Sequence, residues 1–186
     1  MNVQLTNSDV ARLLQAAGAN PVVSGKLNIT TSLTGMGGVP PIVGSGRVQI
    51  ANGQLMEIPL LNVLATLLQV SALSDLSFDQ CLLEYSISNN VMQTPVIRVA
   101  SPHVQITGSG AVALDKYTLN HQMRMTFPKG TFDAALPGIR DLFTEQPDGS
   151  LTLDFKVTGP YNSPKTDITK RIGKQLLQKG LEQLFK

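Results

Sequence analysis

Apolar and polar residues alternate along most of this chain. Leu27, Ile29 and Leu33 interleave with Lys26, Asn28, Thr30 and Ser32. Leu119, Met123, Met125 and Phe127 interleave with Asn120, Gln122, Arg124 and Thr126. Leu151, Leu153, Phe155 and Val157 do the same with Thr152, Asp154, Lys156 and Thr158. A period of two puts successive side chains on opposite faces, the signature of a strand with one wet side. The pattern predicts about eight strands, over 25–33, 45–51, 77–89, 92–100, 102–108, 109–115, 118–127 and 150–158. Short turns between them favour antiparallel pairing. Asn52-Gly53 and Asn89-Asn90 read as hairpin turns.

Roughly four helices break the alternation. Asn7 or Ser8 is placed to cap a leading helix within 7–18, with Val10, Leu13 and Leu14 on one face and Gly18, Asn20 and Pro21 ending it. Pro59 suits the first turn of a second helix running to Val70, apolar on more than one side and therefore well buried. Pro137 opens a short third helix over 137–144, and Pro164 leads into a last one within 164–186. The expected fold is a single β-rich α+β domain spanning 1–186. A curved antiparallel sheet occupies 22–160 with two inserted helices, and helices pack on one face and at the ends.

One phrase occurs twice. Gly44-Ser45-Gly46 precedes Arg47-Val48-Gln49-Ile50, and Gly108-Ser109-Gly110 precedes Ala111-Val112-Ala113-Leu114. Each copy reads as a small-residue turn that restarts the sheet, with a proline-led helix further on. A phosphate loop needs its glycines between a strand and a helix N-terminus. Both pairs lead into strands, so a turn or strand bend is the better reading. Reuse of strand and turn points to an extended surface rather than a catalytic pocket.

With 186 residues the chain has enough length for a real core. The formal charge of +2 carries no nucleic-acid signature. Its placement is uneven: residues 165–186 hold six basic residues against two acidic ones. A single cysteine, Cys81, excludes an intrachain disulfide. The longest apolar stretch, from Ile58 to Val70, is too short to span a bilayer.

Candidate chemistry is thin. His103 and His121 are the only histidines, and no second ligand stands at a metal-like spacing. His121 shares a strand face with Leu119, Met123 and Met125, which fits a satisfied or rim histidine. Cys81 shares a strand face with Leu83, Tyr85 and Ile87 and reads as a buried thiol. Asp75 with Asp79, and Asp141 with Glu145, fit cap or surface roles. No catalytic residue, metal or cofactor is assigned, and an enzyme is not expected.

The apolar strand faces are the better functional candidates. Leu27, Ile29 and Leu33, then Val48 and Ile50, then Leu83, Tyr85 and Ile87 are positioned to line one wall. Ile97, Val99, Val104 and Ile106 continue it. Alternation permits two readings: an ordinary core covered by the helices, or a part-open wall that holds acyl chains. The last helix sets Ile168, Ile172, Leu176, Leu177, Leu181, Leu184 and Phe185 on one stripe, with Lys170, Arg171, Lys174 and Lys179 off it. Those four cations fit contact with an anionic membrane surface or a partner protein, as an alternative to simple docking on the sheet.

The order of these motifs carries a resemblance. Val23-Ser24-Gly25-Lys26-Leu27 is followed by Gly44-Ser45-Gly46 running through to Asn52-Gly53-Gln54-Leu55, then Pro59-Leu60-Leu61 in a helix. Val99-Ala100-Ser101-Pro102 precedes Gly108-Ser109-Gly110, and Val157-Thr158-Gly159-Pro160 with Ser163-Pro164 closes the series. From about residue 8 to about 165 the chain resembles the C-terminal region of AsmA-like proteins, a group that includes TamB- and YhdP-like envelope proteins. The resemblance implies a periplasmic segment of a longer, inner-membrane-anchored protein. It implies a curved sheet with an apolar groove, phospholipid or another acyl lipid as cargo, and a part in phospholipid transport and outer-membrane assembly. The family's anchor and most of its long body have no counterpart in the sequence, so the expectation is one terminal segment. Read without the resemblance, the same features fit a structural or docking module whose sheet edge or basic last helix binds an envelope partner.

Overall fold

A computed structural model describes residues 1–35, 42–132 and 140–174. Its framework is a ten-stranded antiparallel sheet in which each long strand pairs with its neighbours in sequence. The strands are β1 (Asn2–Asp9), β2 (Val23–Thr34), β3 (Val43–Met56), β4 (Asp75–Ser88), β5 (Val91–Ala100), β6 (Gln105–Ala113), β7 (Thr118–Phe127), β8 (Thr144–Glu145), β9 (Leu151–Pro160) and β10 (Lys165–Thr166). The order is β1-β2-β3-β4-β5-β6-β7-β9-β10, with β8 paired to β9 off this path.

The β-rich α+β expectation therefore holds, with the strand and helix numbers revised. Helix α1 (Val10–Ala16) is shorter than expected and is capped by Asp9, whose Oδ1 accepts from the Arg12 amide at 3.1 Å. Asn7 and Ser8 instead belong to β1, which sequence reading missed. Only Val3 and Leu5 mark its apolar side before a register shift interrupts it between Leu5 and Ser8. Helix α2 (Pro59–Leu68) carries proline in its first turn, as expected, and ends at Gln69 in a left-handed conformation. A short 3-10 turn, Ser71–Leu73, follows. A third helix is expected over 137–144; of its described residues Arg140–Leu142 form only a 3-10 turn, and Thr144 opens β8 instead. The last helix, α3, occupies 168–174; of its expected span, 164–167 is not helical and holds β10, and 175–186 lies outside the described residues.

Two corrections concern turns. The expected strands 102–108 and 109–115 are one strand, β6, and Gly108-Ser109-Gly110 lies in its middle. Gly44-Ser45-Gly46 likewise lies inside β3. Asn52-Gly53 is not a hairpin either. Strand β3 runs through it, with Asn52 at φ 50°, while the pairing with β2 shifts register between Ser24 and Lys26. The left-handed residue signals a bulge here, because pairing with β4 continues from Ala51 to Gly53. Asn89-Asn90 does turn the chain, with both residues at positive φ between β4 and β5.

The core sits toward one end of the sheet. Leu61, Leu64, Ala65 and Leu68 form the buried stripe of α2. They join Leu73, Leu76, Phe78, Phe127, Leu153 and Ile168 in one buried cluster. Burying a large apolar side chain stabilises a fold by roughly 1.5–3 kcal/mol, so this stripe anchors α2 although its ten residues would be marginal as an isolated helix. Phe127, Phe132 and Phe143 pack edge-on or tilted at centroid distances of 4.4–5.8 Å, closing the same end near β9.

Candidate functional site

The register places the predicted wall residues on one face in transverse rows. The first row reads Leu27, Ile50, Cys81, Val99, Ile106, Met125 and Leu153 from β2 to β9. The second reads Ile29, Val48, Leu83, Ile97, Gly108, Met123 and Phe155. A third contains Thr31, Gly46 and Tyr85 on one side and Thr94, Gly110 and His121 on the other. A fourth reads Leu33, Gly44, Ile87, Met92, Val112 and Leu119.

These rows are not equally covered. In the first row every residue but Cys81 is buried, and Val104, only 1% exposed, belongs with that closed end. Leu27, Ile50, Val99, Val104 and Ile106 are thus core residues. Ile29 and Val48 are half-buried and pack against the cluster. Leu83, Ile97, Leu33, Tyr85 and Ile87 are half-buried and stand outside it, as do Met92 and Val112. Among the described residues, the partly exposed apolar surface of this face is centred on β4 and β5, in the middle of the sheet.

The third row holds two matched polar bridges, one over the second glycine of each repeated phrase, Gly46 and Gly110. Thr31 Oγ1 donates to the Ser45 carbonyl at 3.1 Å and lies 2.7 Å from the Tyr85 hydroxyl. Its single proton is then used, so the Tyr85 O–H donates to Thr31. Thr94 Oγ1 donates to the Gly110 carbonyl at 3.1 Å and lies 2.8 Å from His121 Nε2. By the same count His121 carries its proton on Nε2 and donates it. In each case a threonine on one strand reaches over the next strand to a ring on the strand beyond. A Cβ on Gly46 would lie 2.6 Å from the Tyr85 hydroxyl, and one on Gly110 would lie 2.6 Å from His121 Cα. The repeated glycines are therefore the floor beneath the bridges. This is the function of the phrase that sequence reading assigned to turns.

The remaining candidates are scattered. His121 is buried and burial lowers its pKa below the ordinary 6.5, keeping it neutral. His103 is exposed, and its amide donates to Ser101 Oγ at 3.3 Å. Burial raises the Cys81 thiol above its ordinary value, which suppresses thiolate chemistry. Asp75 and Asp79 are exposed on β4, and Glu145 pairs with Arg140 at 3.5 Å. Among the described residues no three His, Cys, Asp or Glu side chains converge to hold a metal, and no helix is long and apolar enough to cross a membrane.

The four predicted surface cations also divide. Arg171 turns inward, donating through Nη1 to the Asp154 carbonyl at 2.6 Å and through Nη2 to the Leu142 carbonyl at 3.2 Å. It fastens α3 to β9 and to the 3-10 turn before β8. Lys170 and Lys174 are exposed on α3, and Lys179 lies outside the described residues. On the wet face Arg124 forms a fork with Asp154, Nε to Oδ1 at 2.6 Å and Nη2 to Oδ2 at 2.8 Å. That pairing raises the arginine pKa and lowers the aspartate's.

No family model, curated protein or solved structure matches the chain. The functional reading rests on the sheet itself.

Proposed function

We propose that this chain is a non-enzymatic lipid-handling segment of an AsmA-like cell-envelope protein, working in the periplasm in phospholipid transport and outer-membrane assembly. The observation that carries the reading is the half-exposed apolar surface across the central strands. Leu83, Ile87, Met92, Ile97 and Val112 share one face there and stand outside the buried cluster. Acyl chains laid along these rows gain the burial that the described helices supply at the other end. Headgroups stay in water at the polar margin. The cargo is a phospholipid or another acyl lipid, and no residue performs bond chemistry.

The test is lipid retention by the purified protein, read by native mass spectrometry and solvent extraction after incubation with phospholipid vesicles. Bound phospholipid is expected. Leu83→Asp and Ile97→Asp, at half-buried positions, should abolish uptake while circular dichroism stays that of the wild type. Apo protein after incubation, or unchanged uptake in folded variants, would sink the reading.

The docking-module reading has one observation in its favour: Arg171 ties α3 to the sheet, so the basic helix is part of the domain's closure. Apo protein that captures an envelope partner, with capture lost on Lys170→Glu and Lys174→Glu, would select that reading instead.

A further inference from the structure

We infer that the cleft between α2 and the β9–β10 edge binds an anionic amphiphile, a carboxylate or phosphate carrying one apolar chain. The inference takes its ligand class from the lipid-handling reading, but it concerns a separate place on the molecule. The cleft encloses about 600 Å³ and is lined by Pro59, Leu60 and Val63 of α2 on one side. Lys156, Lys165 and Lys170 contribute its charged lining. A volume of this size falls in the range of small-molecule sites.

The two linings suit opposite ends of one ligand. Val63 is 47% exposed, on the side of α2 away from its buried stripe of Leu61, Leu64, Ala65 and Leu68. Docking of the helix on the sheet leaves this apolar side chain open to the cleft. None of the three lysines forms an ion pair with any described residue. Asp167, the one acidic residue of the lining, has its Oδ1 engaged by the Lys156 amide at 2.8 Å. Its carboxylate is held against the main chain, and the cleft retains an excess of positive charge. An anion there relieves repulsion among the ammonium groups. A chain attached to that anion covers Pro59, Leu60 and Val63. A bare anion would use only half of the lining, and a neutral chain only the other half.

The probe is 11-(dansylamino)undecanoic acid, titrated into the intact chain below its aggregation threshold and followed by dansyl fluorescence. Lys156→Gln, Lys165→Gln and Lys170→Gln together should weaken binding about tenfold or more. Raising salt from about 50 to about 500 mM should weaken the wild type and hardly move the triple variant. The methyl ester of the probe should bind both proteins equally poorly. The triple lysine variant should keep phospholipid uptake on the central strands, read by native mass spectrometry, so failure of the cleft is read separately from failure of the wall. Equal affinity of wild type and triple variant would overturn the inference. So would an ester that binds as well as the acid, or displacement of the probe by equimolar inorganic phosphate.

Discussion

Gly110→Ala is the most direct perturbation of the bridged row. A Cβ at this position would lie 2.6 Å from His121 Cα and 2.7 Å from His121 Cδ2, and would press on the Asn120 carbonyl oxygen. Two of these three atoms are backbone of the paired strand, so no rotamer change relieves the clash. Overpacking of this kind costs about 1–3 kcal/mol. Moving the ring also separates His121 from Thr94, both buried, and an unsatisfied buried polar group costs about 1–3 kcal/mol more. The expected loss is about 2–6 kcal/mol, a large share of the roughly 5–15 kcal/mol typical of a domain. With a urea slope of about 2 kcal/mol per molar, the midpoint should fall by about 1–3 M. Gly46→Ala is the internal comparison. There the nearest atoms are the Tyr85 hydroxyl at 2.6 Å and Cζ at 2.7 Å, the far end of a half-buried ring that can swing aside. Its cost should be smaller, about 1–2 kcal/mol. Urea unfolding followed by circular dichroism measures both. An unshifted midpoint for Gly110→Ala, or a larger loss for Gly46→Ala, would refute the bridge argument.

The pH dependence of stability should carry the signature of His121. Its folded pKa is lowered from the ordinary 6.5, so below that value the unfolded chain takes up more protons. The contribution is fully present above pH 6.5 and is lost as the pH falls through the folded value. Urea midpoints measured in steps from about pH 7.5 to about pH 5 should therefore decline, and His121→Gln should flatten that decline. Arg171→Met keeps the aliphatic stem and removes two hydrogen bonds to main-chain carbonyls, each worth about 1.5–3 kcal/mol for a charged donor before exposure is discounted. Hydrogen exchange across 168–174 should accelerate well before the sheet opens; uniform protection as in the wild type would show that apolar packing alone holds α3.

The alternation of side chains is enough to place the wall, because register in an antiparallel sheet preserves the period of two. Ile29, Val48, Leu83 and Ile97 fall into one row, as alternation requires. What alternation lacks is depth. Nothing local distinguishes Val99, in the closed core, from Ile97, on the half-open surface, since both lie on one strand two residues apart. Coverage depends on where α2 lands, and that is a tertiary fact. The glycine pairs mislead for a related reason. Glycine is permissive in turns, and its other use, giving room to a neighbour's side chain, depends on Thr31, Tyr85, Thr94 and His121 arriving from other strands. Asn52 at φ 50° shows the local half of the signal read correctly and its context missed: the left-handed residue is there, but it bulges a strand.

The nearest-neighbour order of the sheet has a consequence for how the chain can be divided. Pairing passes from each long strand to the next, and the strand pairing that joins the β2-β3-β4 bridge to the β5-β6-β7 bridge is the single β4–β5 seam, turned at Asn89-Asn90. Each side of that seam holds a complete threonine, glycine and ring set. Two fragments cut at that turn would each retain an organised strand triplet. Their reassociation would rebuild one strand seam and the buried cluster that joins α2 to Phe127, Leu153 and Ile168, with no strand to be threaded between others.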